Sequence, residues 1–236
     1  MDKFELKIET LNKVQENMLL VECSRQDGEK IKAKAGQFFM FFFDEDKDPF
    51  NRSYSIANAI DGEMERVEFI ISPSKSGKSY SKINAWKEGD LVKATGPHGR
   101  FRLKGNEENL VAIATGTGIA PFRAMLPSFV EKMEKGDKVT IIHGARCESE
   151  AIYSDELMRF AEDYPNFSYK LCLSQERKEG CINGRVQNAL EIDQLCEKTT
   201  YFLCGNPLMV DEVKSLLTES GVNRRSVRTE SYVSPN

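Results

Sequence analysis

The stretch LKGNEENLVAIATGTGIAP, residues 103–121, divides the chain. Upstream of it, short apolar runs alternate with turn residues. Downstream, strand-like and helix-like stretches take turns. LKGNEEN (103–109) reads as a polar junction. NLVAIA (109–114) reads as a buried strand running into a glycine-rich turn, with Pro121 at the start of a helix.

Working back from the junction, FELKIETL, MLLVECS, QFFMFFF, RSYSIA, RVEFIIS and LVKATG are strand-like, and EGD (88–90) and GPHG (96–99) supply turn chemistry. That rhythm predicts a small antiparallel barrel or sandwich. SYSKINAW (79–86) fits a short helix inserted between strands. Working forward, KVTIIHG (138–144), FSYKLCLS (167–174), TTYFLCG (199–205) and SVRTESYV are strands. PFRAMLPSFVEKMEK, SDELMRFAEDY, GRVQNAL and PLMVDEVKSLLTESG are helical. Alternating strands and helices predict right-handed crossovers and a parallel sheet. Pro127 should kink or break its helix, and Ser154 is placed to cap the next. The expectation is an antiparallel β-barrel domain over 1–104, then an α/β parallel-sheet domain over 105–236.

Composition sets bounds. The chain has 236 residues, 40% hydrophobic and 30% charged, as in a soluble globular protein. No apolar run approaches the ~18 residues of a membrane span. No signal-peptide layout opens the sequence, so a cytoplasmic protein is expected. A formal charge of −4 without a basic run argues against nucleic acid. The six cysteines form no CxxC pair or metal-site spacing, so neither a metal nor a disulfide framework is expected.

In an open parallel sheet, ligands gather at the carboxyl ends of the strands. Those ends read TGTGIAP (115–121), HGAR (143–146), LSQERK (173–178) and CGNP (204–207). Gly116 and Gly118 remove side chains where a diphosphate could approach; a tight strand-to-helix turn is an equal reading. Cys204 beside Gly205 could meet a planar ring or simply fill the core. In the barrel half, strand alternation puts Arg52 and Tyr54 on one face of RSYSIAN (52–58), and Ser53 and Ser55 on the other.

The order RSYSIAN, GPHGRF, TGTGIAPF, HGAR and CGNP resembles the ferredoxin–NADP reductase superfamily over almost the whole chain. The resemblance implies a flavin-binding barrel, then a Rossmann-like nucleotide domain with a C-terminal segment that contacts flavin. It implies FAD and either NADP or NAD as cofactors. Arg52, Ser53, Tyr54 and Ser55 would meet FAD: Arg52 at the pyrophosphate, Tyr54 against the isoalloxazine, and Ser55 at flavin N5 after a twist or bulge brings it round. The family's second phosphate loop falls on Gly77, Lys78, Ser79, Tyr80 and Ser81, where Tyr80 replaces the usual Ser; Ser79 or Ser81 would then meet the phosphate. Thr115, Gly116, Thr117, Gly118, Cys204 and Gly205 would bind the nicotinamide nucleotide. Arg146, Ser174 and Arg177 would lie near its adenosine ribose, with Lys178 able to reach a 2′-phosphate and Glu176 able to accept from a 2′-hydroxyl. Ser55, Cys204 and Glu230 are the catalytic candidates, and Tyr232 would cover the flavin.

The implied activity is a flavin-dependent NAD(P)H oxidoreductase passing electrons to a separate acceptor. Ferredoxin or flavodoxin is the first expectation, with Lys75, Lys78, Lys82 and Lys87 as a docking patch. The alternatives are the reductase component of an oxygenase or larger redox complex, and a flavin-binding module without turnover.

Overall fold

Alternation along QFFMFFF decides the barrel core. In the computed structural model, which describes residues 3–43, 49–59, 62–191 and 198–232, it forms strand β4 (Phe38–Phe43), burying Phe39, Phe41 and Phe43. Phe41 meets Phe69 edge to face at 5.0 Å, Tyr54 at 5.1 Å and Trp86 at 6.2 Å. Burial of each such ring stabilises the fold by about 1.5–3 kcal/mol.

Around this core run β1 (Phe4–Gln15), β2 (Met18–Arg25), β5 (Phe50–Ser55), β7 (Arg66–Ile71) and β8 (Leu91–His98). With β4 they form a six-stranded sheet in the order β5-β4-β8-β1-β2-β7, every pair antiparallel. The two edge strands meet through an antiparallel bridge between Ile56 and Phe69, and the Ala57 N–H donates to the Glu68 carbonyl at 2.8 Å. These bonds close the sheet into a barrel. Two short strands, β3 (Ile31–Lys32) and β6 (Glu63–Met64), pair separately. The expected short helix is α1 (Tyr80–Asn84), whose Ile83 is buried in the barrel core.

The chain clusters into two compact units, one reaching Arg102 and the other resuming at Leu103. The segment Ala120–Pro127 packs with the first unit. It holds helix α2 (Ala120–Ala124), whose Arg123 donates to the Ala57 carbonyl at 3.0 Å and pairs with Glu68 at 2.8 Å.

In the second unit, β9 (Asn109–Thr115), β10 (Val139–Ala145), β11 (Phe167–Leu173), β12 (Ile182–Asn183), β13 (Thr199–Gly205) and β14 (Val227–Ser231) form a wholly parallel sheet. Its order is β12-β11-β10-β9-β13-β14. The central strands β9, β10 and β13 are largely buried and apolar on both faces, as helix-covered strands must be. The helix containing Pro127 breaks at Met125: α3 (Leu126–Met133) restarts there with the proline in its first turn, where no donor is lost. Ser154 does not cap. It is the first residue of α4 (Ser154–Asp163), and Tyr153 stands before it with φ of 64°. GRVQNAL forms only a 3-10 turn at Val186–Ala189. Helix α5 (Pro207–Glu219) starts with proline and is capped by Asn206, whose side chain accepts the Leu208 N–H at 2.9 Å.

The junction segment is held by charge. Glu107, almost wholly buried, accepts the N–H groups of Lys104 (2.8 Å) and Gly105 (2.9 Å) and pairs with Arg228 of β14 at 2.7 Å. Lys132 of α3 donates to the Glu107 carbonyl and pairs with Asp137 at 3.0 Å. Among the described residues no helix is long and apolar enough to cross a membrane, and no group of side chains has a metal-binding arrangement.

Candidate functional site

In the barrel, β5 half-buries Phe50, Arg52 and Tyr54 and exposes Asn51 and Ser53. Ser55 is buried, at the strand end where the barrel closes. The pairing of β4 with β5 runs through Ser55 without a bulge, which leaves twist as the way to bring it round; a register shift lies between β4 and β8. Arg52 donates from Nη1 to the Asn51 carbonyl at 2.7 Å and lies 4.9 Å over the Phe50 ring. Its Nε is buried without a partner. An unmade hydrogen bond at a buried donor costs about 1–3 kcal/mol, which an acceptor anion relieves. Burial raises the Tyr54 phenol above its ordinary range, and its hydroxyl is hydrogen-bonded to Ser79. Ser79 is buried and Ser81 exposed, so the two candidate hydroxyls of GKSYSK differ: one is tied to Tyr54, the other faces solvent. Gly77 and Lys78 complete this loop, whose Gly77 N–H donates to the Ser74 carbonyl at 2.8 Å.

In the second unit, strand order reverses between β9 and β13, the position where open parallel sheets bind ligands. The turns after these strands touch. A side chain at Gly118 would lie 2.2 Å from the Cys204 carbonyl oxygen, so only glycine allows the approach. Thr115 Oγ1 accepts the Asn206 N–H at 3.0 Å. Cys204 pairs in register with Glu230, and Gly205 with Ser231. The Tyr232 N–H donates to the Gly205 carbonyl at 2.9 Å, and its hydroxyl donates to the Thr117 carbonyl at 3.3 Å. Burial raises the Cys204 thiol well above its ordinary value, Glu230 adds to this, and a hydrogen bond from Tyr232 opposes it. Cys204 is therefore a neutral thiol at physiological pH. The fold thus gathers Thr115, Thr117, Gly118, Cys204, Gly205, Glu230 and Tyr232 at one sheet end.

A third cluster lies at the ends of β10 and β11. The Ser174 N–H and hydroxyl both donate to the Ala145 carbonyl, at 3.0 and 3.3 Å. Glu176 accepts the Glu148 N–H at 2.7 Å. Arg146 pairs with Glu150 through both Nε (2.8 Å) and Nη2 (2.5 Å), and Lys178 pairs with Glu148. Arg177 is exposed.

Residues 5–103 match the oxidoreductase FAD-binding domain, and residues 112–215 match the oxidoreductase NAD-binding domain. The chain belongs to the oxidoreductases built from an FAD-binding and an NAD-binding domain, with the fold of the ferredoxin–NADP reductase superfamily. Its cofactors are FAD and a nicotinamide adenine dinucleotide. It is 29% identical over 197 residues to one component of the Na(+)-translocating NADH-quinone reductase of Pseudomonas aeruginosa, covering 77% of this chain and 48% of that one. The chain therefore spans about half the length of such curated relatives. Among solved structures, it matches the ferredoxin NADP+ reductase of Neisseria gonorrhoeae with bound FAD and NADP at a TM-score of 0.83 and 23% identity, over 98% of this chain and 99% of that one. It matches an Amycolatopsis cytochrome P450 reductase at 0.86 and 22% identity, over 98% and 69%.

The residues present suit a reductase of this superfamily. The unpartnered Arg52 Nε fits a phosphate acceptor, and Gly118 leaves the nucleotide turn without a side chain. Several residues escaped sequence reading. His143, buried inside KVTIIHG, is bonded through Nδ1 to Tyr169 at 3.0 Å. Its position in HGAR was the available signal, but a histidine in an apolar run reads as core. Glu107, Arg228 and Arg123 gave none, because their partners lie far along the chain.

Proposed function

We propose that this chain is an NADH-dependent FAD reductase that passes electrons to a separate protein carrier of the ferredoxin or flavodoxin type. The observation that carries the reading is the convergence of the TGTG turn, Cys204 and Tyr232 at the point where sheet order reverses. Bound FAD supplies acceptance of hydride from nicotinamide and release of electrons one or two at a time.

The chain's own residues bind and orient. Arg52 offers Nε to a pyrophosphate oxygen, and the Tyr54–Ser79 hydrogen bond fixes the ring wall beside it. Ser55, buried at the strand end, would supply the hydroxyl for flavin N5. The neutral Cys204 thiol would pack beside the nicotinamide and favour the transfer pose without acting as a nucleophile. Glu230, beside it in register, is the group placed to move a proton. Tyr232 gives up its bond to the Thr117 carbonyl when nicotinamide enters.

NADH is favoured over NADPH by the charge at the ends of β10 and β11. Of the cations there, Arg146 is committed to Glu150 and Lys178 to Glu148, while Glu176 stands beside them. A 2′-phosphate could use Arg146 or Lys178 only by displacing the carboxylate that each already holds. Only Arg177 lacks a partner among the described residues of this cluster.

Relatives named for quinone, cytochrome P450 and ferredoxin share these two domains, so the acceptor is the variable part. In the test, FAD-loaded protein and NADH are mixed with oxidised ferredoxin, flavodoxin, a quinone or a haem protein. Carrier reduction that slows as salt rises is the expected result. Reduction of the quinone or haem protein alone reassigns the acceptor, and reduction of none overturns the reading.

A further inference from the structure

His143 is wholly buried in β10, and the mechanism so far does not use it. The residue after it, Gly144, pairs in register with Thr115 at the start of the glycine turn. Nδ1 is 3.0 Å from the Tyr169 hydroxyl, whereas Nε2 is buried with no hydrogen-bond partner. Burial pushes the imidazole down to about 4, so it is neutral and carries one N–H. The opposing influence comes from the Gly116 backbone, which raises its basicity, as only an acceptor can. With Tyr169 as the donor to Nδ1, the single proton falls on Nε2, the unpartnered nitrogen left to meet the Gly116 backbone.

The consequence follows from peptide geometry. In a trans peptide the carbonyl and the next N–H point in opposite directions. Gly116 has φ of 54°, and its peptide can rotate at little cost because glycine lacks Cβ. A donor holding the Gly116 carbonyl inward therefore turns the Thr117 N–H outward.

We propose that His143 is a positioning residue for the dinucleotide: its Nε2–H takes the Gly116 carbonyl when nucleotide binds, presenting the Thr117 N–H to the diphosphate. This inference rests on the nucleotide site proposed above. NAD+ is the probe, because it binds without reducing the flavin. With only two histidines in the chain, 15N-histidine spectra of the FAD-loaded protein resolve His143 from His98. The expected spectrum is a neutral Nε2–H tautomer whose proton moves downfield as NAD+ saturates. His143→Phe should weaken NAD+ binding about tenfold, the scale of one lost hydrogen bond at an ordered site, with FAD content and the rate at saturating NADH kept. His143→Gln, which retains an N–H donor, should recover most of that loss. Saturable NAD+ binding with an unmoved His143 proton, or equal weakening in the Gln and Phe variants, overturns the relay and leaves the nucleotide site standing. No NAD+ binding by the wild-type protein overturns the site and the relay together. Should the Phe variant fail to fold, the wild-type spectra decide alone.

Discussion

In the proposed flavin site, Arg52 would concentrate recognition in one side chain. Its Nε is a buried donor waiting for an acceptor, and its Nη1 is already used by the Asn51 carbonyl. Arg52→Ala should lower FAD affinity about tenfold to a hundredfold, the range of a lost charged hydrogen bond. Arg52→Lys should recover little, because an ammonium cannot reproduce the planar fork. FAD retention after gel filtration and equilibrium titration measures both, and unchanged retention in the Ala variant would place the phosphates elsewhere. Cys204 gives the second prediction at this scale. Burial and Glu230 keep it protonated, so the rate of hydride transfer should show no limb where an ordinary thiol ionises. Thiol alkylating reagents should leave it unmodified in the folded protein. Cys204→Ala should slow transfer while sparing NADH affinity. A thiolate-shaped pH profile would contradict the neutral role.

At the scale of elements, Glu107 joins the junction segment to β14, the strand that carries Glu230. Burial alone would raise the Glu107 carboxyl. The N–H groups of Lys104 and Glu107 itself, with Arg228, outweigh it and hold the group below its ordinary value. A carboxylate with a depressed value stabilises the fold above its unfolded value and loses that contribution as pH falls through the folded one. Acid stability should therefore decline only below the ordinary carboxylate range. Glu107→Gln should cost about 1–3 kcal/mol near neutrality, the scale of a broken buried charged pair's hydrogen bonds, and should flatten the acid limb. Thermal melts across pH check both. The elements themselves were largely legible. Period-two alternation marks β5, and continuous apolar runs mark β4, β9, β10 and β13, because burial writes itself into sequence. What escaped was long-range: Glu107 with Arg228, and His143 with Tyr169, are partners only after the chain has folded. Ser154 misled because capping depends on the backbone conformation of the preceding residue, and Tyr153 takes the left-handed form there.

At the scale of the whole molecule, the motif order located the candidate site more fully than any motif alone. TGTG could have been an ordinary turn, and its meaning came from CGNP and Tyr232 meeting it at the sheet's reversal point. Coenzyme choice was not legible, since pairing among Arg146, Glu148, Glu150 and Lys178 is a property of the fold. Glu150→Gln should release Arg146 and improve kcat/KM for NADPH several-fold, about the value of one exposed ion pair, with little change for NADH. No improvement would mean that Arg146 does not reach the ribose. The central claim is that FAD and a reduced nicotinamide dinucleotide react on this chain. Anaerobic titration of the FAD-loaded protein with NADH, followed through the visible absorbance of the flavin, tests it directly. Stoichiometric bleaching by NADH and slower bleaching by NADPH are the predicted result; a protein that binds FAD but keeps its colour with both would contradict it.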